Sequence, residues 1–310
     1  MGEIFKLVGE VGFPILLENR QFNELSTRQI LFAYDQILLD NCCVVNSCMT
    51  FAFDLISDLH VETWDHFDWT GQPTSPYCVV AGDVSRDHNE VAQTLEHLNK
   101  CYAGVFYIDG NDEHRHHLED LAGSYRSLKN KLKKLDNVVY LQDNVVIING
   151  VAILATNGWW SYDLDPAIDY EESQIWYQEY TQSTQASTDA ITSIAYHDAA
   201  YLANSIRKLQ THLEVKSIVV VSHTLPSAWL CSHDPDLVDT ARFNCMGNPH
   251  LQQALEEDTE NKIQVWAFGH YHRTVDQNLG GIRYVSNPRG RGNTPWSQVA
   301  YYPKRIEVEI

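Results

Sequence analysis

The chain has 310 residues, a length that suits one large domain or two small ones. Hydrophobic residues make up 44% of the chain and aromatic residues 11%, which is enough for a packed core and excludes wholesale disorder. With 41 acidic and 22 basic residues, the formal net charge is −19. A charge of this sign repels nucleic acid and anionic membrane surfaces, so it argues against long DNA or RNA as a partner.

The sequence also bears on where the protein resides. No uncharged apolar run reaches the ~20 residues that a membrane-spanning helix needs, and the first residues lack the pattern of a secretion signal. The 7 cysteines are odd in number and form no Cys-x-x-Cys pair, which is typical of a reduced intracellular protein. We therefore expect a cytoplasmic protein without a membrane partner; the oligomeric state stays open.

Residues 1–48 are interpreted as an N-terminal helical extension. Apolar residues recur there at helical spacing after a possible capping box at Ser26, which predicts one amphipathic helix from about Thr27 to Leu39. From Met49 the pattern changes to short apolar runs that alternate with helical stretches. Residues 49–310 are therefore predicted to form the main domain.

Eight apolar runs of the main domain are predicted to be strands. They are Phe51–Ile56, Cys78–Ala81, Val105–Ile108, Val145–Ile148, Val151–Ala155, Ile218–Val221, Val265–Phe268 and Ile282–Val285. Helical stretches are predicted near Asn89–Tyr102, Glu113–Leu135, Ala186–Leu213 and Pro249–Glu256. Asn149 and Gly150 separate two of the runs and predict a tight hairpin. This alternation followed by a hairpin indicates an α/β sandwich with mixed β-sheets.

One segment, residues 158–185, is rich in aromatic and acidic side chains. Its Trp and Tyr residues are Trp159, Trp160, Tyr162, Tyr170, Trp176, Tyr177 and Tyr180. We interpret the segment as an insertion near the functional site, because loops over active sites often join a strand to a helix in this way. The alternative is a surface excursion whose aromatic side chains pack on the domain.

Polar residues follow five of the apolar runs directly. They are Asp58-Leu59-His60, Gly82-Asp83, Asp109-Gly110-Asn111-Asp112-Glu113, Ser222-His223 and Gly269-His270-Tyr271-His272. Functional sites of α/β sheets lie beyond the carboxyl ends of the strands, so these side chains are expected to converge. Carboxylate oxygen combined with imidazole nitrogen, without thiolate, suits manganese, iron or zinc.

In this order the motifs resemble those of the calcineurin-like metallophosphoesterase superfamily, whose pattern is D-x-H, GD, GN(H/D/C)-(E/D), a lone H and GHxH. The resemblance implies a four-layer α/β/β/α sandwich and a site for two divalent transition metal ions, with manganese the first choice. One metal would bind Asp58, His60 and His272, and Asp83 would bridge both. The second metal would bind Asn111, His223 and His270.

The resemblance further implies a hydrolase that acts on ester bonds. A hydroxide that bridges the metals would attack a phosphate ester or diester of a small phosphorylated or nucleotide-like substrate. Asn111, Asp112 and His223 are the predicted catalytic residues. Arg86 and Arg115 are predicted to contact substrate phosphate as bidentate donors. Trp159 is also predicted to bind substrate, since the aromatic segment could stack on a base or narrow the pocket.

Asp112 stands where the superfamily commonly has a histidine that protonates the leaving oxygen. A carboxylate can take that role only if burial or a neighbouring anion raises its pKa. Two alternatives therefore stay open beside the phosphoesterase. One is a nuclease or phosphodiesterase that acts on single-stranded nucleic acid, and the other is a catalytically weakened, metal-holding binding module.

Overall fold

The structure is a computed structural model, and it describes part of the chain. The described residues are 6–8, 14–15, 50–65, 73–238, 240–292, 294–295, 297 and 300–310. The helix predicted from about Thr27 to Leu39 lies outside these residues.

The described residues form thirteen strands and five α-helices. The strands are β1 (Lys6–Val8), β2 (Pro14–Ile15), β3 (Thr50–Ile56), β4 (Tyr77–Ala81), β5 (Gly104–Ile108), β6 (Val138–Tyr140), β7 (Asn144–Ile148), β8 (Val151–Thr156), β9 (Ser217–Ser222), β10 (Ile263–Phe268), β11 (Val275–Leu279), β12 (Ile282–Ser286) and β13 (Lys304–Glu309). The helices are α1 (His88–Cys101), α2 (Leu121–Leu132), α3 (Tyr170–Thr181), α4 (Gln185–Gln210) and α5 (Gln253–Glu256).

The strands form two mixed sheets. The larger sheet has the order β11-β12-β10-β9-β8-β7-β1-β2, and the smaller one has the order β13-β3-β4-β5-β6. Strands β8, β9, β10 and β12 run parallel to one another, as do β3, β4, β5 and β6. The remaining pairs are antiparallel, including the hairpin between β7 and β8. Each sheet therefore presents several carboxyl strand ends at one edge.

Side chains alternate between two cores along the central strands. In β4, Val79 packs between the two sheets, whereas Val80 packs outward in a cluster with Leu95 of α1 and Leu128 of α2. In β9, Val219 faces the other sheet. Its neighbour Val220 packs outward with residues of α4. This alternation follows from strand geometry, since successive side chains point to opposite faces of a sheet. The helices therefore pack on the outer faces of the two sheets, and an apolar core lies between the sheets. The predicted α/β/β/α sandwich is confirmed.

The eight predicted strands are all present, and the hairpin turns at Asn149 and Gly150, both of which have positive φ. The helix predicted over Glu113–Leu135 is shorter. Residues Asp112–His114 and Leu118–Asp120 form 3-10 turns, and α2 begins at Leu121, where the Asp120 side chain accepts a hydrogen bond from the Gly123 N–H. Strands β6, β11 and β13 and helix α3 were not predicted.

Two short strands fall within the predicted N-terminal extension. Strand β1 pairs antiparallel with β7, and β2 pairs antiparallel with β1 at the sheet edge. The boundary between residues 48 and 49 stays a prediction, as does the separate status of 158–185. Among the described helices, none combines the length and apolar character that crossing a membrane requires.

Candidate metal centre

Five of the predicted metal ligands sit on strained backbone just beyond the strand ends. These residues have φ angles between 42° and 63°, in the left-handed region that non-glycine residues rarely adopt. They are Asp58, His60, Asp83, His270 and His272. Such conformations cost about 1–3 kcal/mol each and concentrate at functional sites. The turns re-aim the side chains toward the crevice between the two sheets.

A first group of ligand atoms comes from Asp58, His60, Asp83 and His272, and its atoms lie within 4.8 Å of one another. The Nε2 atoms of His60 and His272 are 2.9 Å apart. His272 Nε2 lies 3.3 Å from Asp58 Oδ1, and His60 Nε2 lies 3.6 Å from Asp83 Oδ2. Nitrogen and oxygen atoms from three loops therefore face one common point.

A second group shares Asp83 with the first and adds His223 and His270. His223 Nε2 lies 3.3 Å from Asp83 Oδ1 and 3.2 Å from the amide oxygen of Asn111. The structure thus brings together all seven predicted ligands. It places Asp83 between the two groups, with one carboxylate oxygen toward each.

Hydrogen bonds on the far side of the rings fix which nitrogen faces the centre. His223 donates from Nδ1 to the Ala81 carbonyl oxygen at 2.9 Å, which leaves Nε2 directed at Asp83. His270 donates from Nε2 to the Cys245 carbonyl oxygen at 2.9 Å. Its own backbone N–H donates to Asp58 Oδ1 at 2.8 Å. Such outer contacts orient metal-binding histidines.

The electrostatics of the centre are dominated by buried carboxylates. Although burial raises the pKa of Asp83, the neighbouring His223 and His60 hold that pKa well below its usual value. Burial lowers the pKa of His223, but Asp83 and Asp58 beside it raise it to about 10. Burial and the charge of His223 lower the pKa of His270 to about 3. The centre therefore holds an ionised Asp83 carboxylate, which is the charge state that binds cations.

Several features fit divalent cations. Asp58 Oδ2 is buried and has no hydrogen-bond partner among the described residues. Two glycines let the loops approach the carboxylates closely. A Cβ at Gly110 would lie 2.1 Å from Asp83 Oδ1, and one at Gly269 would lie 2.6 Å from Asp58 Oδ2. The donor set of oxygen and imidazole nitrogen suits transition metals. The residues present therefore fit two metal ions.

Glu113 joins two of these loops, a role that the sequence analysis did not assign. Its carboxylate accepts hydrogen bonds from the backbone N–H groups of Asp83, Val84 and Gly110 at 2.7–3.2 Å and from the Tyr107 hydroxyl at 3.0 Å. Burial and the nearby Asp83 raise the pKa of Glu113 to about 8. The last position of the GN(H/D/C)-(E/D) pattern was its only signal in the sequence.

Comparisons with known proteins agree with this architecture. No protein-family profile and no curated sequence matches the chain significantly. Among solved structures, phosphopantetheinyl hydrolase from Mycobacterium tuberculosis aligns with a TM-score of 0.58 and 20% identity, over 80% of this chain and 95% of that chain. The chain therefore shares its fold with this hydrolase. The α/β sandwich that the motifs led us to expect agrees with this match.

Two more distant structures also align, at scores too low to bear on function. A candidate 5′-nucleotidase from Staphylococcus aureus has a TM-score of 0.44 and 15% identity, over 84% of this chain and 51% of that chain. GAP50, the anchor in the inner membrane complex of Plasmodium, has a TM-score of 0.43 and 12% identity, over 84% and 81%.

Asp112 stands at the motif position where the sequence comparison led us to expect a histidine, and its side chain contacts basic groups. The side chain is buried and pairs with Arg291, with Arg86 Nε at 3.1 Å and with His60 Nδ1 at 3.4 Å. Burial and Asp83 raise the pKa of Asp112, but His60 and Arg291 outweigh them and hold it below its usual value. The ionised carboxylate anchors arginines, and its surroundings disfavour the protonated form that an acid needs.

A cleft of about 390 Å³ opens beside the two groups. Arg115 and Arg291 line it, whereas Arg86 reaches Asp112 without lining the cleft. Arg291 was not predicted, because only the fold brings it to the centre. Trp159, the predicted substrate contact, does not line the cleft: this side chain is fully buried, and its Nε1 donates to the Tyr125 hydroxyl at 2.8 Å. Its neighbour Trp160 lines the cleft and stacks on His270, with ring centroids 5.3 Å apart.

Replacing Gly110 tests whether the close packing of the loops is needed for metal binding. In Gly110→Ala the new Cβ would displace Asp83, since it would lie 2.1 Å from Oδ1 and 2.6 Å from the backbone N. We expect less than half the metal of the wild type per chain, measured by elemental analysis of folded, monodisperse protein. Gly280→Ala is the control: its φ of +61° makes the change a strained one, but nothing lies within 4 Å of the new Cβ, so metal content should match the wild type. Equal metal content in Gly110→Ala and the wild type would contradict this account.

Proposed function

We propose that the protein is a metal-dependent phosphoesterase that hydrolyses a phosphate ester or diester. The observation that supports this proposal most strongly is the position of Asp83 between two groups of buried ligand atoms. A shared carboxylate between two histidine-rich groups is suited to a pair of metal ions, and paired metal ions favour in-line displacement at phosphorus.

Two divalent cations, when bound, would supply Lewis acidity and a nucleophilic water at neutral pH. The residues of this chain would perform the remaining tasks. Asp58, His60 and His272 would hold one ion, Asn111, His223 and His270 the other, and Asp83 both. The guanidinium groups of Arg115 and Arg291 line the cleft and would attract and orient an anionic substrate.

The proposed ligands are two manganese ions and a small phosphorylated or nucleotide-like substrate. Manganese accords with the donor set of carboxylate, amide and imidazole groups. A small substrate accords with the cleft volume of about 390 Å³ and with the net charge of −19, which disfavours long nucleic acid. We propose a cytoplasmic location on the grounds given by the sequence.

Removal of the shared carboxylate tests the proposed function directly. We expect Asp83→Asn to lose bound metal and to lower manganese-dependent hydrolysis of p-nitrophenyl phosphate or bis-p-nitrophenyl phosphate by about 100-fold or more. Even residues that only hydrogen-bond to metal ligands contribute roughly 10–100-fold to metal affinity or activity. Asp189→Asn, an exposed change on α4, is the matched control and should retain wild-type rates. A wild-type protein that binds no metal and hydrolyses neither ester would refute the proposal.

The environment of Asp112 predicts a steep dependence on the leaving group. Because this carboxylate pairs with Arg291 and with Arg86 Nε at 3.1 Å, we expect the leaving oxygen to receive no proton from it. We expect hydrolysis of aryl phosphate esters to slow strongly as the leaving phenol becomes more basic, and alkyl esters to react slowest. Rates that hardly vary across such a series would show that another group protonates the leaving oxygen. Metal binding without turnover of any ester would instead favour the weakened binding module.

A further inference from the structure

The hydroxyl of Tyr177 is a buried polar group on a side chain that lines the cleft. Tyr177 lies on α3, and only 2% of its surface is exposed. Its hydroxyl has no hydrogen-bond partner in the part of the chain that the structure describes. Buried hydroxyl groups are nearly always paired, so an unpaired one needs an explanation. The side chain lines the cleft together with Asn111 and His270.

Aromatic contacts fix the position of Tyr177 relative to the centre. Trp160 packs edge-on against its ring, with centroids 5.0 Å apart. Trp160 in turn stacks on His270, one of the proposed metal ligands. Tyr162 touches the same ring from another side, at a centroid distance of 6.1 Å. The hydroxyl is therefore held by rigid rings that are themselves anchored on the metal centre.

The charges around Tyr177 indicate what kind of group it would bind. Burial raises the pKa of Tyr177, which keeps the phenol protonated and able to donate. The nearby Arg115 lowers this pKa, and its guanidinium lines the same cleft. A protonated hydroxyl beside a guanidinium group offers two kinds of donor, and together they suit an anionic oxygen.

We propose that the Tyr177 hydroxyl donates a hydrogen bond to a phosphoryl oxygen of the bound substrate. The inference rests on the proposed phosphoesterase function and adds to it a substrate-binding residue that lies outside the recognised motifs. Helix α3 supplies this residue from the aromatic segment 158–185, which gives the segment a role in binding as well as in packing.

The test compares Tyr177→Phe with Tyr162→Phe in the manganese-loaded protein. Both changes remove one buried hydroxyl from the same aromatic cluster, but Tyr162 does not line the cleft. The affinity for inorganic phosphate is measured by titration calorimetry, and the melting temperature by scanning calorimetry. We expect Tyr177→Phe to bind phosphate about tenfold more weakly, the value of one hydrogen bond to a charged group. Its melting temperature should be unchanged or higher, because an unpaired hydroxyl is removed.

The control should bind phosphate as the wild type does. Wild-type phosphate affinity in Tyr177→Phe, with metal and esterase activity intact in the parent protein, would overturn this inference and leave the proposed function standing. A parent protein without metal, phosphate binding or activity would overturn the proposed function itself. If Tyr177→Phe does not fold, Tyr177→Met fills the space without a hydroxyl and is judged by the same affinity.

Discussion

The buried carboxylate of Asp83 is the constraint on which the arrangement of the molecule depends. It lies between the two sheets and contacts a histidine from each, His60 at 3.6 Å and His223 at 3.3 Å. A carboxylate withdrawn from water is strongly unfavourable unless charges or hydrogen bonds compensate it. The Asp112 N–H donates to Asp83 at 2.8 Å, and Gly110 leaves room for this approach. The residues just beyond the strand ends have positive φ angles and are therefore strained. This strain accompanies the convergence of their side chains on Asp83.

The distribution of charge around the centre explains how a chain of net charge −19 would hold an anionic ester. Arg115, Arg242, Arg273 and Arg291 all line the cleft. Asp112 anchors Arg291, whereas Asp234 and Asp236 pair with Arg273. The bound cations would then offset the negative charge of the carboxylates at the centre, and the arginines would face the substrate. The carboxylate of Asp112 thus positions the guanidinium groups of Arg86 and Arg291.

The sequence predicted most of the sheet framework because buried strands leave a clear apolar signal. All the residues of β4, β5, β8 and β9 are buried, and these strands were predicted within one or two residues. Strand β11 was missed because four of its five residues are exposed and three of them are polar, Asp276, Gln277 and Asn278. Strand β6 has only three, half-buried residues. Edge strands of this kind form through pairing with their neighbours, which no local pattern records.

The candidate site was predicted better than the cleft around it. The seven proposed ligand residues belong to short motifs that can be recognised in the sequence without knowledge of the fold. Trp159 and Trp160 are adjacent, and the backbone turn at Gly158 decides which of them faces the cleft. Asp198 sets that turn by accepting hydrogen bonds from the Gly158 and Trp159 N–H groups, at 2.8 and 3.2 Å. Asp198 lies 40 residues after Gly158 and 39 after Trp159. Such tertiary contacts cannot be read from local sequence.

Anomalous diffraction from manganese-loaded crystals tests the central claim most directly. The account predicts two peaks in the crevice between the sheets, one among Asp58, His60 and His272 and one among Asn111, His223 and His270. Asp83 should contact both ions. The absence of any peak in the crevice, or a single ion that Asp83 does not touch, would contradict it.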